Sequence, residues 1–295
     1  MASDAPRPFK DLIAGCFAGI GADFLLHPVD TVRARMQVER VGTKGGSTMT
    51  QAARAVLRDS GISGFYRGVK TTVLLTGPAH ALYFSGYEMA KRQLRSLDHK
   101  GDTRDEAIYA LASGLFANFC GAFVWVPMDV VKQKMQVHGG TLYHRDTDAL
   151  RDVLRKEGPR GLYRGFGAAF LTYGPFSGIY FAMYEAQKSL FLRLSRSNDD
   201  NKERLIPFYA SLAFAAGAGG IAAAVTCPLD VVKTRMQVEG RSGEAYKNTF
   251  DGLWKVANNE GFAGLFRGVQ ARVTWIAPSC AVTMVLYEEF KKILL

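Results

Sequence analysis

The chain has 295 residues and a formal net charge of +10, with 48% hydrophobic and 22% charged residues. This length allows one large domain or two small ones, and the positive charge predicts an anionic partner: nucleic acid, a membrane surface or an acidic metabolite. The four cysteines, Cys16, Cys120, Cys227 and Cys280, lie far apart in apolar stretches. A disulfide framework and a paired-cysteine metal site are therefore excluded.

The first hundred residues contain three distinctive blocks. The amino-terminal segment "MASDAPRPFKDL" contains Asp4 and no apolar signal-peptide core, so we expect no cleaved presequence and an organelle address, if any, inside the chain. An apolar run then leads into "HPVDTVRARMQ" at 27–37, followed by "GISGFYRG" at 61–68 and "YEMAK" at 87–91. A helix that ends in water does not need a proline, an acid and a base at these fixed offsets.

The three blocks return twice more in the same order. The second copies are "VPMDVVKQKMQ" (126–136), "GPRGLYRG" (158–165) and "YEAQK" (184–188); the third are "CPLDVVKTRMQ" (227–237), "GFAGLFRG" (261–268) and "YEEFK" (287–291). A period of roughly 100 residues indicates a triplicated chain. We place repeats at 1–100, 101–200 and 201–295 within a single domain that spans 1–295.

Each repeat has one apolar run before its first block and another before its third. At about 20–25 residues these runs are long enough to cross a bilayer as helices, and small residues such as those of "AAGAGGIAAA" allow close packing in lipid. The polar connector contains an amphipathic stretch, for example "DALRDVLRKEG" at 148–158, typical of a helix at the membrane surface. The predicted fold class is an all-α membrane protein with six transmembrane helices in three tandem pseudosymmetric repeats, each with a short interfacial helix.

This pattern closely resembles the signature of the mitochondrial carrier family, P-x-[DE]-x-x-[KR] followed by an acidic-glycine and an aromatic-basic-glycine block. The resemblance covers nearly the whole chain, with one departure: Ser60 stands where the family usually has an acid, and Asp59 lies one place earlier. It implies a monomeric, multi-pass solute carrier of the mitochondrial inner membrane, with the interfacial helices on the matrix side and both termini in the intermembrane space. Transport would proceed by alternating access.

The charges of the first block face the bundle axis. Asp30 and Arg33 are three residues apart and share one side of a helix, and charges at membrane depth usually line a cavity and pair. The resemblance implies a matrix-side gate with these pairs: Asp30–Lys132, Asp129–Lys233 and Asp230–Arg33. It also implies braces from Gln37, Gln136 and Gln237 and helix kinks at Pro28, Pro127 and Pro228.

The third block predicts a second gate at the cytoplasmic mouth. Its members are Tyr87, Glu88, Lys91, Tyr184, Glu185, Lys188, Tyr287, Glu288 and Lys291. A partly hydrated ion pair is worth about 0–1 kcal/mol, and more when dry, so a ring of a few pairs can both form and break. One ring would close while the other opens. The alternative is that each ring consists of ordinary helix-end pairs that only support packing.

Cavity positions that differ between the repeats are the candidates for substrate contact, because an asymmetric substrate needs asymmetric contacts. Helical spacing gives Asp23, Thr76, His80, Tyr83, Asn118, Thr172, Tyr173, Ser177, Tyr180, Trp275, Ser279 and Cys280, to which Arg272 is added as a cavity cation. His80 and Asp23, with Cys280 at the level of His80, would pass a borderline divalent metal along the pore. The alternatives are a His80 hydrogen-bonded within the bundle, an Asp23 paired with Arg272 or a lysine, and a Cys280 that only packs.

Two branches of the family share features with this chain. The stretch "GPAHALYFSGYE" at 77–88 resembles the mitoferrins, the iron carriers, in which a histidine at the position of His80 is linked to metal passage. Asp23, in "GADFLLHPVD", resembles the S-adenosylmethionine carriers, which lack that histidine. The resemblance therefore implies transport of iron or another divalent metal, with S-adenosylmethionine exchange as the alternative. Tyr83, Tyr180 and Trp275 either stack on a base or a sulfonium or only fill space.

Other functional classes fit the sequence less well. A nucleic-acid binder would collect its basic residues on one face, whereas many bases here belong to the gate motifs and connectors. An enzyme would need a nucleotide loop, paired catalytic carboxylates or a nucleophile with its base, and none is found. A carrier fold that has lost transport and acts as a scaffold is the remaining class, which the complete charge rings disfavour.

The aromatic-Arg-Gly blocks predict contact with anionic lipid headgroups. Their residues are Arg67, Gly68, Arg164, Gly165, Arg267 and Gly268. Such segments bind cardiolipin in the family that the chain resembles. We therefore expect cardiolipin as a bound lipid and no cofactor.

Overall fold

The computed structural model describes residues 7–39, 48–97, 103–138, 141–194, 206–239 and 246–294, without the side chains of 7–14, 95–97, 103–108, 110–111, 288, 291–292 and 294. The described chain forms α1 (Arg7–Val38), α2 (Met49–Ser60), α3 (Val69–Leu97), α4 (Thr103–His138), α5 (Asp146–Lys156), α6 (Phe166–Leu194), α7 (Phe208–Val225), α8 (Cys227–Glu239), α9 (Thr249–Leu265) and α10 (Val269–Leu294). Every repeat thus consists of a long helix, a short helix and a second long helix. In the third repeat the first long helix is divided into α7 and α8.

The long helices form a closed ring. Around it α1 packs on α3, α3 on α4, α4 on α6, α6 on α7, α7 on α10, and α10 returns to α1. The predicted fold class, six spans in three repeats, is confirmed. By length and composition alone, three stretches of the described chain are apolar enough to cross a membrane: Ala112–His138, Phe208–Val225 and Val269–Tyr287. The repeat pattern identifies the other three spans, which hydropathy alone would miss.

The prolines of the first block act unequally. The helix continues through Pro28 in α1 and Pro127 in α4, so the kinks predicted there do not interrupt it. In the third repeat α7 ends at Val225, and Pro228 lies in the first turn of α8, where its missing N–H costs nothing. Thr226 stands between the two helices and bonds its hydroxyl to the carbonyl of Ala222 at 2.7 Å.

Each short helix packs one face on the first long segment of its own repeat (α1, α4 or α7–α8) and exposes its other face. The buried clusters contain Ala52 of α2 with Val32 and Met36, Ala149 of α5 with Val131 and Met135, and Val256 of α9 with Val232 and Met236. Leu57, Leu154 and Trp254 are exposed on the outer faces. The apolar face of each short helix therefore packs on the bundle, while these three apolar side chains remain exposed outside it.

The glycine of each aromatic-Arg-Gly block packs against the next repeat. A Cβ on Gly68 would lie 3.0 Å from the Lys132 carbonyl oxygen, and Cβ atoms on Gly165 and Gly268 would lie 3.2 Å from Gln237 and Gln37. The φ of Gly68 is +83°, a region that other residues rarely adopt. These glycines, which the sequence assigned to lipid, therefore also allow the repeats to approach.

Replacing Gly68 by alanine is expected to lower the thermal unfolding midpoint of the purified protein by several degrees. The new methyl group would press on Lys132 and the backbone would be strained, together costing about 1–3 kcal/mol. Gly61→Ala is the matched control, because Gly61 has a similar φ of +63° but nothing within 4 Å of an added Cβ. Equal midpoints in the two variants would show that the Gly68 contact does not stabilise the fold.

Candidate functional site

Six charged side chains close the proline-motif end of the bundle, and we call them the lower ring. Three ion pairs connect them across the repeats: Asp30 Oδ2–Lys132 Nζ at 2.8 Å, Asp129 Oδ2–Lys233 Nζ at 2.6 Å, and Asp230 Oδ2–Arg33 Nη1 at 2.6 Å. None of the six side chains is more than 12% exposed. An acid and a base three residues apart share one helix face. The helices α1, α4 and α8 therefore each offer their acid to one neighbouring repeat and their base to the other.

Two of the three predicted glutamine braces are formed. Gln136 Nε2 donates to Asp30 Oδ2 at 2.9 Å, and Gln37 Nε2 donates to Asp230 Oδ2 at 2.8 Å. The structure does not form the third brace: the Gln237 amide is buried, and neither of its polar atoms has a hydrogen-bond partner among the described residues. Asp129 Oδ2 instead accepts a hydrogen bond from the Tyr173 hydroxyl at 3.1 Å, which supplies the contact expected of Gln237.

A cavity of about 210 Å³ lies directly against the lower ring. It is lined by Arg33, Asp129, Lys132, Gln133, Thr172, Tyr173, Phe176, Asp230, Lys233, Arg272, Trp275 and Ile276. The Trp275 ring lies 4.7 Å from the Arg33 guanidinium and 5.8 Å from Lys132 Nζ, and the Tyr173 ring lies 4.7 Å from Lys233 Nζ. Aromatic faces thus cover the bases of the ring and stabilise them by cation–π contact.

Arg272 fixes the helix break of the third repeat. Its Nη1 donates to the Thr226 carbonyl and its Nη2 lies 2.9 Å from the Thr226 hydroxyl, while Nη1 also lies 3.5 Å from Asp230 Oδ2. The side chain is 3% exposed. Pairing of Arg272 with Asp23, considered from the sequence, does not occur in this structure, because the guanidinium is already committed to Thr226 and Asp230.

Asp23 and His80 lie close enough for electrostatic interaction, and Lys132 is near Asp23 as well. No hydrogen bond or ion pair to Asp23 is found in the described part of the chain. His80 Nδ1 lies 2.8 Å from the Thr76 carbonyl oxygen. A carbonyl only accepts, so Nδ1 donates its proton to Thr76, and in the neutral form of the ring the lone pair lies on Nε2. His80 is therefore hydrogen-bonded within the bundle through Nδ1, which is the alternative considered from the sequence. Its Nε2 makes no hydrogen bond with the described residues.

The described residues contain no group of three His, Cys, Asp or Glu side chains placed to hold a metal ion. Asp23 and His80 belong to different helices, α1 and α3, and both are half-buried. At most two such protein ligands are therefore available together at this level of the cavity. That arrangement differs from a resident metal site, which usually has four or more ligands.

Several predicted cavity residues direct their polar groups to their own helix. Thr76, Thr172 and Asn118 each donate to a carbonyl four residues earlier, at 2.7, 2.7 and 3.0 Å. Ser177 and Ser279 are half-buried on α6 and α10. Thr172 also borders the cavity against the lower ring, whereas Thr76 is buried and is not among the lining residues of that cavity.

Tyr180 and Cys280 are mainly packing residues in this conformation. The Tyr180 ring lies between Phe176 and Tyr184, each with ring centroids 6.3 Å away. A Cβ on Gly219 would lie 2.8 Å from Cys280 Sγ, so the thiol fills the notch that this glycine leaves in α7. The packing alternative for Cys280 is the one that the structure favours.

Trp125 contacts three of the predicted residues and was not itself predicted from the sequence. Its ring centroid lies 5.5 Å from that of His80, 5.7 Å from Tyr83 and 6.2 Å from Tyr173. A signal was present: the stripe through positions nine and five before Pro127 continues with helical spacing to the position two before it. Trp125 joins the predicted residues His80, Tyr83 and Tyr173 into one aromatic wall.

The opposite end of the bundle is not closed by inter-helix pairs among the described side chains. We call its charges the upper ring: Glu88, Lys91, Glu185 and Lys188, with Glu288 and Lys291, whose side chains lie outside the described residues. Glu88 pairs with Arg92 at 3.9 Å and Glu185 with Lys188 at 3.6 Å, in each case within one helix. The carboxylates of both pairs are more than half exposed.

The three tyrosines beside the upper ring have different surroundings. Lys91 Nζ lies 5.4 Å from the Tyr87 ring centroid, Tyr184 stacks on Tyr180, and Tyr287 is half-buried. The bundle is therefore closed by ion pairs at the lower ring, whereas the described side chains of the upper ring form no ion pair between helices.

The arginines of the aromatic-Arg-Gly blocks have three different environments. Arg164 pairs with Glu157 at 3.0 Å, Arg267 with Glu39 at 3.4 Å, and Arg67 donates to the Tyr143 carbonyl at 3.4 Å. Beside Arg67 a groove of about 820 Å³ separates the first repeat from the second. Lys70, Arg145 and the apolar Leu74 are among its lining residues, so it presents positive charge next to an apolar wall.

The departure at Ser60 is compensated by its neighbour. Asp59 lies 3.2 Å from Arg35 Nη1 and so forms in the first repeat the ion pair that Glu260 forms with Arg235 in the third. Although the acid stands one place earlier in the chain, the ion pair between the short helix α2 and the long helix α1 is therefore kept.

Comparison with known proteins gives one consistent result. The family model described as "Mitochondrial carrier protein" matches residues 4–97, 103–195 and 205–295. "Mitochondrial substrate carrier family protein E" of Dictyostelium discoideum is 40% identical over 291 residues, which cover 95% of this chain and 94% of that protein. "Mitoferrin" of the same organism is 32% identical over 297 residues, 97% of this chain and 94% of that protein. "Mitochondrial S-adenosylmethionine carrier protein" of Xenopus laevis is 33% identical over 285 residues, which cover 96% of this chain and 97% of that protein.

A double-mutant cycle is expected to show that the lower ring is held by dry ion pairs. Asp30→Asn and Lys132→Gln should couple by about 2 kcal/mol or more in the free energy of unfolding in detergent, because removing either partner leaves a buried charge. The control pair Asp152–Lys156 has the same 2.8 Å separation, but Lys156 is 67% exposed, so its coupling should stay below about 0.5 kcal/mol. Equal coupling in the two cycles would contradict this account of the ring.

Proposed function

The chain belongs to the mitochondrial carrier family, and we propose that it moves a small solute across the mitochondrial inner membrane by alternating access between the lower and upper rings. One observation carries the proposal. The lower ring is closed by three ion pairs between repeats, while the described charges of the upper ring pair only within their own helices. Exchanging which ring is paired would expose the same cavity to the other side.

Within this proposal the lower ring faces the matrix, the carrier works as a monomer, and both termini lie in the intermembrane space. An even number of spans places the two termini on one side, and the family resemblance supplies which side. A single chain supplies all three repeats and all three pairs of the lower ring. The three pairs of the lower ring and the lining of the cavity are thus complete within the described part of one chain.

Iron, or another divalent metal, is the solute that His80 and Asp23 support best. His80 presents the Nε2 lone pair that a borderline divalent metal prefers, and Asp23 is a carboxylate without an ion-pair partner in the described chain. Two ligands suit a cargo in transit, because transport requires binding that is weak enough for release. A mitoferrin is among the relatives at 32% identity.

S-adenosylmethionine is the second candidate, and the aromatic lining of the cavity favours it. Tyr173, Phe176 and Trp275 offer faces for an adenine ring or a sulfonium, and Asp23 can pair with a cationic solute. An S-adenosylmethionine carrier is among the relatives at 33% identity.

The groove between the first and second repeats is the proposed site for cardiolipin. Arg67, Lys70 and Arg145 would contact the phosphates, near the first turns of α3 and α5. Leu74 and Leu75 would contact the acyl chains. Arg164 and Arg267 are each paired with a carboxylate, so the arginine of the first repeat is the most available of the three.

Purified protein in proteoliposomes is expected to take up Fe²⁺ under reducing conditions, and His80→Ala is expected to lower the initial rate about tenfold or more, because it removes a metal-binding nitrogen. Asp23→Asn should have a similar effect, since it keeps the size of the side chain and removes its charge. Leu82→Ala is the control, because Leu82 is exposed on the outside of the same helix as His80 and the rate should be unchanged.

The same vesicles test the other two functions. Exchange of labelled S-adenosylmethionine that fails in Asp23→Asn and survives in His80→Ala would refute iron and establish the second candidate. Uptake of neither solute, nor of other small metabolites, by protein that remains folded would favour the non-transporting scaffold.

Cardiolipin is expected to raise the unfolding midpoint of the protein in detergent, and the double variant Lys70→Glu and Arg145→Glu should remove most of that rise by repelling the phosphates. Arg92→Glu is the control: it makes the same charge reversal on an exposed residue at the far end of α3 and should keep the full effect. A rise of equal size in all three proteins would place the lipid elsewhere.

A further inference from the structure

The three repeats meet at three boundaries, which we call seams, and each seam has one ion pair of the lower ring. Seam 1–2 has Asp30–Lys132, seam 2–3 has Asp129–Lys233, and seam 3–1 has Asp230–Arg33. Glutamine braces reinforce seams 1–2 and 3–1. At seam 2–3 the corresponding Gln237 is buried and makes no hydrogen bond within the described chain. The pseudosymmetry of the gate is therefore broken at seam 2–3.

A second layer of contacts, two residues beyond the lower ring, shows the same inequality. Arg35 Nε donates to the Gln136 carbonyl at 3.2 Å across seam 1–2, and Arg235 donates to the Gln37 and Glu39 carbonyls across seam 3–1. Across seam 2–3 the equivalent base is Lys134, whose Nζ donates to the Val238 carbonyl at 2.9 Å. Seam 2–3 thus has a lysine where the other two seams have an arginine.

Tyr173 replaces the missing brace at seam 2–3. Its hydroxyl donates to Asp129 Oδ2 at 3.1 Å and accepts from Lys233 Nζ at 2.9 Å, and its ring lies 4.7 Å from the same ammonium. Asp129, Lys233 and the phenol therefore form a closed triangle of hydrogen bonds. Removing the hydroxyl would leave the ion pair without a brace on either side.

The other repeats cannot brace their pairs in this way. Thr76, at the position equivalent to Tyr173, donates to the Thr72 carbonyl of its own helix, and Ile276 in the third repeat has no polar side-chain atom. Tyr173 also lines the central cavity. A solute that contacts its ring or hydroxyl must therefore compete with Asp129 and Lys233 for the same group.

We propose that Tyr173 is the latch of the lower ring, and that this ring opens first at seam 2–3 when a solute in the cavity draws Tyr173 away from Asp129 and Lys233. The inference rests on the proposed alternating access, and it adds an order of opening and a residue that couples the cavity to the gate. Tyr173 is a positioning residue in this scheme, because it acts on the gate through the ion pair that it holds.

Three distances between spin labels test the proposal on the full-length protein in detergent. Labels introduced through a non-cysteine chemistry at Arg54, Arg151 and Asn258 report on the three seams, since these residues are exposed on α2, α5 and α9. Tyr173→Phe is expected to increase the long-distance population for Arg151–Asn258, across seam 2–3, about tenfold, as expected for losing hydrogen bonds to charged groups. The other two distances should keep their distributions.

Tyr180→Phe is the matched control, because it makes the same change on the same helix, and Tyr180 contacts Phe176 and Tyr184 rather than the lower ring. It should leave all three distances and the unfolding midpoint unchanged. Equal broadening at all three seams in Tyr173→Phe, or no change at seam 2–3, would overturn the latch. A change of the same size in Tyr180→Phe would also overturn it.

Fe²⁺ added to the wild-type protein separates this proposal from the identity of the cargo. Opening at seam 2–3 that is induced by Fe²⁺ in the wild type, and already present without Fe²⁺ in Tyr173→Phe, supports both. Opening in Tyr173→Phe with no response to Fe²⁺ supports the latch and counts against iron. A response to Fe²⁺ that begins at another seam refutes the latch while leaving transport intact.

Discussion

Three ion pairs buried between repeats hold one end of this bundle shut, and the rest of the structure depends on keeping them paired. A buried charge without a partner is costly, so each carboxylate has more than one. Asp30 contacts Arg33, Lys132 and Gln136. Aromatic rings cover the bases on the cavity side. In the proposed transport cycle the same ring can break, because it borders a cavity in which partners that separate can be hydrated.

Within the proposed function, the threefold scaffold supplies the gate, and departures from threefold symmetry supply the contacts that would recognise a solute. The ion pairs, the aromatic-Arg-Gly glycines and the short helices repeat closely. The exceptions concentrate around the cavity: Tyr173 in place of a glutamine brace, Arg272 committed to the helix break at Thr226, and Trp125 against His80. Residues that contact an asymmetric solute must differ between repeats, whereas residues that close a ring must be alike.

The metal proposal and the latch proposal involve neighbouring groups in the interior of the bundle. His80, with Trp125 and Tyr83, belongs to the wall formed by the first and second repeats. Tyr173 connects that wall to the lower ring, because its ring lies near Trp125 and its hydroxyl bonds to Asp129. A solute held at His80 would thus lie one aromatic contact away from the gate, which gives a physical path from binding to opening.

The sequence by itself determined the repeats, the six spans with their short helices, and which charges face the axis, because helical spacing fixes the side of a helix on which a residue lies. Resemblance added the partners of the lower ring, and the structure brings those six side chains together as three pairs. Only the tertiary structure decided that Tyr173 rather than Gln237 holds Asp129, that Arg272 bonds to Thr226 rather than Asp23, and that Trp125 packs against His80. Spacing along one helix does not determine the height and rotation of its neighbours, and those decide which of several possible donors reaches a given carboxylate.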